Sequence, residues 1–242
     1  MVGAYNYCRK GKGFYLSYVL HICTSIILIL PLPSMLQIHD LDLRFGKQFR
    51  LQIPHLVLEK AVTILRGPNG SGKSTLLHAI LGLEGRKRGT FTLGGQRLHT
   101  RRAEIKFALS SLYYPDSWCY AEAKAIAQAA HTTDPLAELR QDLEAKLGIP
   151  AFAHKAFANL SAGMRQKANL CLALQGKPAL LLLDEPEVHL DDLAQEHLLF
   201  AANALLDFNI QIVCATHYAQ PWADIFPEIR LQTILFPYAS NS

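Results

Sequence analysis

One octapeptide constrains the fold of this 242-residue chain more than any other feature. Residues 67–74 read Gly-Pro-Asn-Gly-Ser-Gly-Lys-Ser and satisfy the pattern G-x-x-x-x-G-K-S. An apolar run at 61–65 precedes the octapeptide and a helical pattern from Lys73 to Leu83 follows it, which is the strand–loop–helix context that the pattern requires. Glycines in such a loop let backbone N–H groups turn inward around phosphate oxygens, and the helix N-terminus adds partial positive charge. The octapeptide therefore predicts a phosphate-binding site inside an α/β domain.

Each position of this loop has an expected contact. Lys73 is expected to reach the β- and γ-phosphates of a nucleotide, and Ser74 to offer its hydroxyl to Mg²⁺. The alternative, a glycine turn with a solvated lysine, does not account for the strand before the loop and the helix after it. The expected phosphate-binding residues are Gly67, Pro68, Asn69, Gly70, Ser71, Gly72, Lys73, Ser74 and Thr75.

A pair of carboxylates follows a second apolar run. Residues 180–183 are four leucines, and Asp184 and Glu185 come directly after them. At the tip of a buried strand Asp184 is expected to hold Mg²⁺, directly or through water. Glu185 is expected to face the water that attacks the γ-phosphate and to act as general base. Taken alone, the pair also fits a solvated acidic turn at the end of a strand.

The order of the apolar runs predicts the fold class. Residues 36–53 alternate as the strands of a hairpin do, whereas the runs at 61–65, 179–183 and 210–215 read as buried strands separated by helical stretches. Helices are expected at 119–130, from an Asp134 cap with Pro135 as first residue to Gly148, and after Ser161. We therefore predict an α/β domain with a mainly parallel sheet, N-terminal antiparallel strands and a small helical lobe at about 112–175.

The first 34 residues differ from the rest of the chain. Three basic residues precede an uncharged run from Phe14 to Leu30, and no acidic residue lies in the segment. A membrane anchor, a signal peptide and a misassigned start with Met35 as the true first residue all fit this layout. An anchor with basic residues before it would tend to send the following domain out of the cytoplasm. We therefore treat residues 35–242 as the functional domain.

Charge and cysteine content bound the partners. The chain has 24 Lys and Arg against 20 Asp and Glu, and its three basic residues before Met35 leave 21 against 20 for the rest. Because this balance is nearly neutral, it gives no electrostatic footprint for nucleic acid, and none is expected as a partner. The five cysteines have no zinc-type spacing and are expected to be free thiols in a reducing compartment.

Further motifs resemble those of ATP-binding cassette (ABC) proteins. Residues 160–167, Leu-Ser-Ala-Gly-Met-Arg-Gln-Lys, are similar to the family's LSGGQ signature and lie just ahead of the Asp184 strand. Thr216-His217 resembles the family's switch histidine, Leu190-Asp191 resembles its D-loop, and Phe45 stands where the family has an aromatic residue that stacks on adenine. Together these motifs cover most of the chain from Met35 to His217.

The resemblance implies an ATPase that binds ATP and Mg²⁺ and works as a head-to-tail pair of cassettes. Ser161 and Gly163 of one cassette would then meet the γ-phosphate held by the other, with Asp191 at the same interface and His217 at the γ-phosphate. It also implies a separately encoded integral membrane subunit, and a peripheral position on the cytoplasmic face of the inner (plasma) membrane. The second cassette would be an identical copy or a homologue.

Three departures from the family pattern affect the functional hypothesis. Ser110 or Ser111 falls where the family has a glutamine that touches Mg²⁺ and relays to the membrane partner. Met164 and Ala162 resemble the signature of exporter cassettes, so we expect an exporter. Residues 184–190, Asp-Glu-Pro-Glu-Val-His-Leu, resemble soluble cassette ATPases of DNA repair and phage defence. A soluble ATPase that acts on nucleic acid or on protein assemblies is therefore the alternative.

Overall fold

The structure, a computed structural model, describes residues 35–45, 49–83, 87–109, 114–228 and 230–236, without the side chains of Phe45, Phe49 and Lys87. All of these residues belong to one unit of the chain, Leu32–Ser242. The leader at 1–34 and the serines at 110 and 111 lie outside the described residues, so the expectations for them stay predictions.

From β3 onward, strands and helices follow one another singly or in groups. The described strands are β1 (Leu36–Phe45), β2 (Phe49–Leu58), β3 (Val62–Arg66), β4 (Lys87–Leu93), β5 (Gln96–Arg97), β6 (Ile105–Ala108), β7 (Leu180–Asp184), β8 (Gln211–Ala215) and β9 (Leu231–Leu235). The described α-helices are α1 (Lys73–Leu81), α2 (Tyr120–Ala129), α3 (Ala137–Lys146), α4 (Ala162–Leu172), α5 (Asp192–Leu205) and α6 (Ala219–Ile225). Within the residues that the structure describes, none of these helices has the length and apolarity to cross a bilayer.

Two sheets confirm the predicted fold class. The antiparallel sheet has the order β2-β1-β4-β5, and the parallel sheet has the order β6-β7-β8-β3-β9. Every neighbouring pair in the second sheet is parallel. Parallel neighbours end at the same edge of a sheet, so the loops after β7, β8 and β3 emerge side by side. The phosphate loop, Asp184 and Thr216 follow or end these three strands, and the topology therefore brings them together.

Both faces of the parallel sheet are covered, because successive residues of a strand point to opposite faces. Leu180 and Leu182 of β7 join one apolar cluster with Leu76 of α1 and with strands of the antiparallel sheet. Leu181 and Leu183 join a second cluster that includes apolar residues of α2, α3, α4 and α5. One side of the sheet thus carries the antiparallel strands, and the other carries α2, α3, α4 and α5, of which the first three fall within the predicted lobe at about 112–175.

The predicted start of the second helix in that region is wrong by two residues. The sequence favours Asp134 as its cap and Pro135 as its first residue, whereas α3 begins at Ala137 and the Asp134 side chain caps nothing. Instead the Asp134 carboxylate accepts a hydrogen bond from the fully buried Arg140 guanidinium. A buried guanidinium needs a carboxylate partner more than a helix end needs a side-chain cap, because water satisfies an exposed cap at little cost.

Candidate nucleotide site

Glycines shape the loop between β3 and α1. Gly70 and Gly72 have φ values of 75° and 102°, in the left-handed region that residues with a Cβ avoid. Gly67 has a different reason to be glycine, because a Cβ there would lie 2.7 Å from the carbonyl oxygen of Phe236, the residue after β9. Ser71 Oγ is buried and has no hydrogen-bond partner among the described residues. An orphaned hydroxyl in a glycine loop is the kind of group that a phosphate oxygen would satisfy.

Lys73 lies across this loop. Its side chain is buried, and Nζ donates to the carbonyl oxygens of Gly67 at 2.8 Å and Pro68 at 3.1 Å. A buried ammonium needs several acceptors, and two neutral carbonyls bind it more weakly than a phosphate group would. The lysine is therefore held inside the loop, where a charged ligand would be bound.

Ser74 and Asp184 meet although 110 residues separate them. Ser74 Oγ donates to Asp184 Oδ1 at 3.0 Å, and Asp184 is buried at the end of β7. Two neighbouring ligands of octahedral Mg²⁺ lie about 3 Å apart, because each metal–oxygen bond is about 2.1 Å long. The pair therefore fits Mg²⁺ in both chemistry and spacing. No group of three or more His, Cys, Asp or Glu side chains suited to a metal occurs among the described residues, so phosphate and water oxygens would complete the set.

Glu185 and His217 form the next layer of the site. Glu185 Oε1 lies 3.2 Å from His217 Nε2, and each side chain is about one-third exposed, 33% and 37%. Glu185 has a φ of 48°, and its backbone N–H donates to Ala215 O at 2.7 Å. The carboxylate is thus aimed by a strained backbone that a hydrogen bond to β8 holds in place.

A cavity of about 550 Å³ lies between the phosphate loop and Glu185. Its walls are residues 69–75 and Glu185. Among the described residues that line it, none belongs to the signature motif at 160–167. A nucleotide held in the loop would therefore meet Glu185 of the same chain.

The signature motif begins helix α4. Ser161 caps the helix, accepting a hydrogen bond from the Met164 N–H at 3.2 Å, and it is exposed. A Cβ on Gly163 would lie 2.7 Å from the carbonyl oxygen of His189. Asp191 caps α5 through the Ala194 N–H at 2.9 Å and also accepts from Lys167 at 3.0 Å. These two bonds lower the pKa of Asp191, the backbone bond more than the lysine.

Comparison with known proteins decides the family. The ABC transporter family matches residues 53–188, more than half of the chain. The chain belongs to the ABC transporter family. The predicted resemblance to ATP-binding cassette proteins is therefore confirmed at the level of the family.

Individual relatives of this cassette share its core. The Fe(3+) ions import ATP-binding protein FbpC of Streptomyces coelicolor is 32% identical in an alignment of 196 residues, which covers 76% of this chain and 55% of that protein. The linearmycin resistance ATP-binding protein LnrL of Bacillus subtilis is 27% identical, over 77% of this chain and 62% of that protein. The chain thus spans about half the length of the first of these curated relatives. A solved structure titled "Structure of ATP binding subunit of ABC transporter" matches 84% of this chain and 86% of its own at 25% identity, with a TM-score of 0.70.

Most of the predicted site residues of this cassette lie together. One edge of the parallel sheet carries the phosphate loop (67–75) together with Asp184, Glu185 and His217. Ser161, Gly163 and Asp191 lie at the starts of α4 and α5, away from the cavity walls. The backbone of Phe45 is described at the end of β1, but its side chain is not, so its predicted stacking on adenine stays a prediction.

Three side chains that hold the turn after β7 in place were not predicted as such from the sequence: Gln166, Glu187 and Thr216. Gln166 Nε2 donates to Pro186 O at 3.0 Å, and the Thr216 hydroxyl donates to the Glu187 carboxylate. Burial raises the pKa of Glu187, and the Thr216 bond opposes this in part. The sequence signal was Glu187 itself, within the stretch at 184–190 that departs from the family pattern.

Proposed function

We propose that this chain is the ATP-binding and ATP-hydrolysing subunit of an ABC membrane transporter. The observation that carries the proposal is the 3.0 Å contact between Ser74 and Asp184 beside the phosphate loop. It joins a phosphate site to a magnesium-type pair, and Glu185 lines the same cavity with His217 at its carboxylate. Fold likeness alone would not assign an activity, because function depends on the site.

ATP would bind with its phosphates in the loop. Inward backbone N–H groups, the Ser71 hydroxyl and the helix α1 terminus supply hydrogen bonds and partial positive charge. Lys73 would exchange its two carbonyl acceptors for phosphate oxygens, which pair with an ammonium more strongly. Ser74 and Asp184 would hold Mg²⁺, which neutralises phosphate charge when bound. Phe45 is our proposed adenine contact.

Hydrolysis would then use Glu185 and His217. A water molecule attacks the γ-phosphorus while Glu185 accepts one of its protons, and the bond from that phosphorus to the oxygen bridging the β- and γ-phosphates breaks. ADP and phosphate leave. His217 Nε2 lies 3.2 Å from Glu185 Oε1, so His217 is close enough to orient the base and the water together.

A second cassette would complete the site. The described residues that line the cavity come from the phosphate loop and Glu185, and none comes from the signature motif. Ser161 of that motif lies at an exposed helix start, whose N–H groups suit a phosphate. We propose that two cassettes pair head to tail, so that Ser161 and Gly163 of each close the cavity of the other and Asp191 lies between them. A two-fold arrangement of identical copies completes both sites at once.

The membrane partner and the direction of transport are further parts of the proposal. We propose a separately encoded integral membrane subunit and a position on the cytoplasmic face of the plasma membrane, where ATP is present. The family match and the printed names of relatives such as FbpC support a transport role. We retain export as the direction that Met164 and Ala162 favour; the relatives' names include both an import protein and a resistance protein. No nucleic-acid partner is proposed.

Affinity purification tests this proposal. The full chain carrying Glu185→Gln, which we expect to bind ATP without hydrolysing it, is purified from its native host in mild detergent with MgATP. The control bait is Glu196→Gln, on the exposed face of α5. A stoichiometric polytopic membrane protein with the Glu185→Gln bait supports the transporter subunit. Recovery of the cassette alone, or with nucleic acid, contradicts it and favours the soluble ATPase.

A further inference from the structure

Two turns of the site are tied by a side-chain hydrogen bond that the proposed mechanism has not used. The turn after β7 carries Glu185 and Glu187, and the turn after β8 carries Thr216 and His217. The Thr216 hydroxyl donates to Glu187 Oε1. The same hydroxyl accepts from the Tyr218 N–H at 2.8 Å, so its own hydrogen is directed to the glutamate.

The burial of Glu187 has an energetic cost that packing alone does not explain. Its side chain is 7% exposed, and Oε2 has no hydrogen-bond partner among the described residues. A buried carboxyl group with one unsatisfied oxygen is unfavourable by itself, and an apolar side chain would fill the same space without that cost. A functional reason for the carboxyl group is therefore indicated.

The position of the bond suggests that reason. Glu187 is two residues from Glu185, and Thr216 is next to His217, so the bond joins the same two turns as the 3.2 Å contact between Glu185 and His217. A backbone hydrogen bond from the Glu185 N–H to Ala215 O at 2.7 Å also ties the turn after β7 to the end of β8. The Thr216 hydroxyl ties the same turn to the residue after β8.

We propose that Glu187 is a positioning residue that holds the His217 turn against Glu185. The proposal rests on the proposed ATP hydrolysis and adds a residue to its machinery. Glu187 would touch neither ATP nor water; it would act through Thr216 by limiting the movement of His217. Small displacements of a catalytic group lower the rate steeply, by up to about 100-fold for 1 Å.

The turn has enough other contacts to stay folded without this bond. Gln166 Nε2 donates to Pro186 O at 3.0 Å, and the Leu190 N–H donates to Glu187 O at 3.1 Å. Neither contact uses the Glu187 side chain. Loss of the carboxyl group should therefore change the rate of hydrolysis more than it changes the fold.

Steady-state kinetics of five full-length variants test the proposal. Glu187→Leu removes the acceptor and Thr216→Val removes the donor at nearly constant shape, and the double variant removes both. Glu187→Gln and Thr216→Ser keep an acceptor and a donor. We expect each disrupting variant to lower kcat about 10- to 100-fold with KM for ATP within about 2-fold of wild type. The double variant should be no slower than either single one, because both break the same bond. The two conservative variants should stay within about 3-fold of wild type.

Other outcomes separate failure of this inference from failure of the proposed function. Wild-type kcat in Glu187→Leu and Thr216→Val, or multiplied losses in the double variant, overturns the positioning role and leaves the hydrolase intact. Equal losses in Glu187→Gln and Glu187→Leu also overturn it, as does a raised KM in parallel with a lowered melting temperature. A wild-type chain that binds MgATP but does not hydrolyse it overturns both. Glu196→Leu, at an exposed acid on α5, is the control for the change from glutamate to leucine alone.

Discussion

The phosphate loop and the turn after β7 face the same cavity but are built differently. The phosphate loop places glycines at its left-handed positions, Gly70 and Gly72. The turn at 185–190 has Glu185 and His189 at positive φ, 48° and 66°, where a side chain is strained. The first turn keeps its shape through local backbone preference. The second needs contacts from distant parts of the chain, namely Gln166, Gly163 and Thr216.

This difference gives the two turns different sensitivities. The phosphate loop supplies charge and backbone donors to a ligand, so its changes should alter nucleotide binding. The second turn aims side chains, so its changes should alter the rate of hydrolysis at nearly constant ATP affinity. The predictions below, from largest to smallest effect, test that separation.

Glu185→Gln should give the largest effect. The amide keeps the size of the side chain but cannot accept the proton of the attacking water, so kcat should fall about 10²- to 10⁴-fold. ATP binding, measured by equilibrium titration, should stay within about 2-fold because Lys73 and the loop are untouched. A matching loss of ATP affinity would contradict the separation of the two turns.

Lys73→Ala should affect binding and rate together. Loss of the ammonium removes the positive charge that would contact the phosphates. We therefore expect kcat/KM to fall about 10²- to 10³-fold, with weaker ATP binding. The control is Lys177→Ala, at an exposed lysine outside the cavity walls. Unchanged ATP affinity in Lys73→Ala would contradict the claim that the phosphate loop determines nucleotide binding.

Gly67→Ala and Gly163→Ala should both lower stability, but only the first should weaken ATP binding. A Cβ at Gly67 would meet Phe236 O, and one at Gly163 would meet His189 O, each at 2.7 Å. Each variant should lose about 1–3 kcal/mol of unfolding free energy, seen as a lower melting temperature. Gly67→Ala should also weaken ATP binding, whereas Gly163→Ala should not in a lone cassette. Ala162→Gly, at an exposed neighbour, should cost about 1 kcal/mol or less.

Gln166→Ala should have a smaller effect on stability. It removes the donor to Pro186 O, a net loss of about 1 kcal/mol. Because the same turn carries Glu185, kcat should fall while the KM for ATP changes little. Gln141→Ala on the exposed side of α3 is the control and should leave both unchanged. A larger change in KM than in kcat would contradict our view of this turn.

Glu187→Gln should show the smallest effect, visible only as pH dependence. Burial raises the pKa of Glu187 above 4.5, Glu185 raises it further, and the Thr216 bond and His217 lower it. A raised folded-state pKa means that the protonated side chain stabilises the fold below pH 4.5 and that this stability is lost as the pH rises through the folded pKa. The unfolding free energy of Glu187→Gln should therefore increase relative to that of wild type as the pH rises from 4 to 8. A constant difference would show that the carboxyl group does not titrate abnormally.

The two turns also differ in what the sequence could predict. The phosphate loop and the Ser74–Asp184 pair could be predicted, because a local pattern defines the loop and parallel strands end at one edge. The Glu187–Thr216 bond could not, because it depends on β8 lying between β7 and β3. The start of α3 could not either, because Arg140 competes for the Asp134 carboxylate from a turn further on.

A mixing experiment tests the central claim that each cavity is half of a site and a second copy supplies the rest. Lys73→Ala disables the phosphate loop, and Ser161→Arg blocks the exposed start of α4. The ATPase rate is measured for each full-length variant alone and for an equimolar mixture. We predict that each variant alone is inactive and that the mixture recovers activity, because a mixed pair contains one cavity with an intact loop and an intact Ser161. A mixture as inactive as its components, or full activity of Ser161→Arg alone, would contradict the claim.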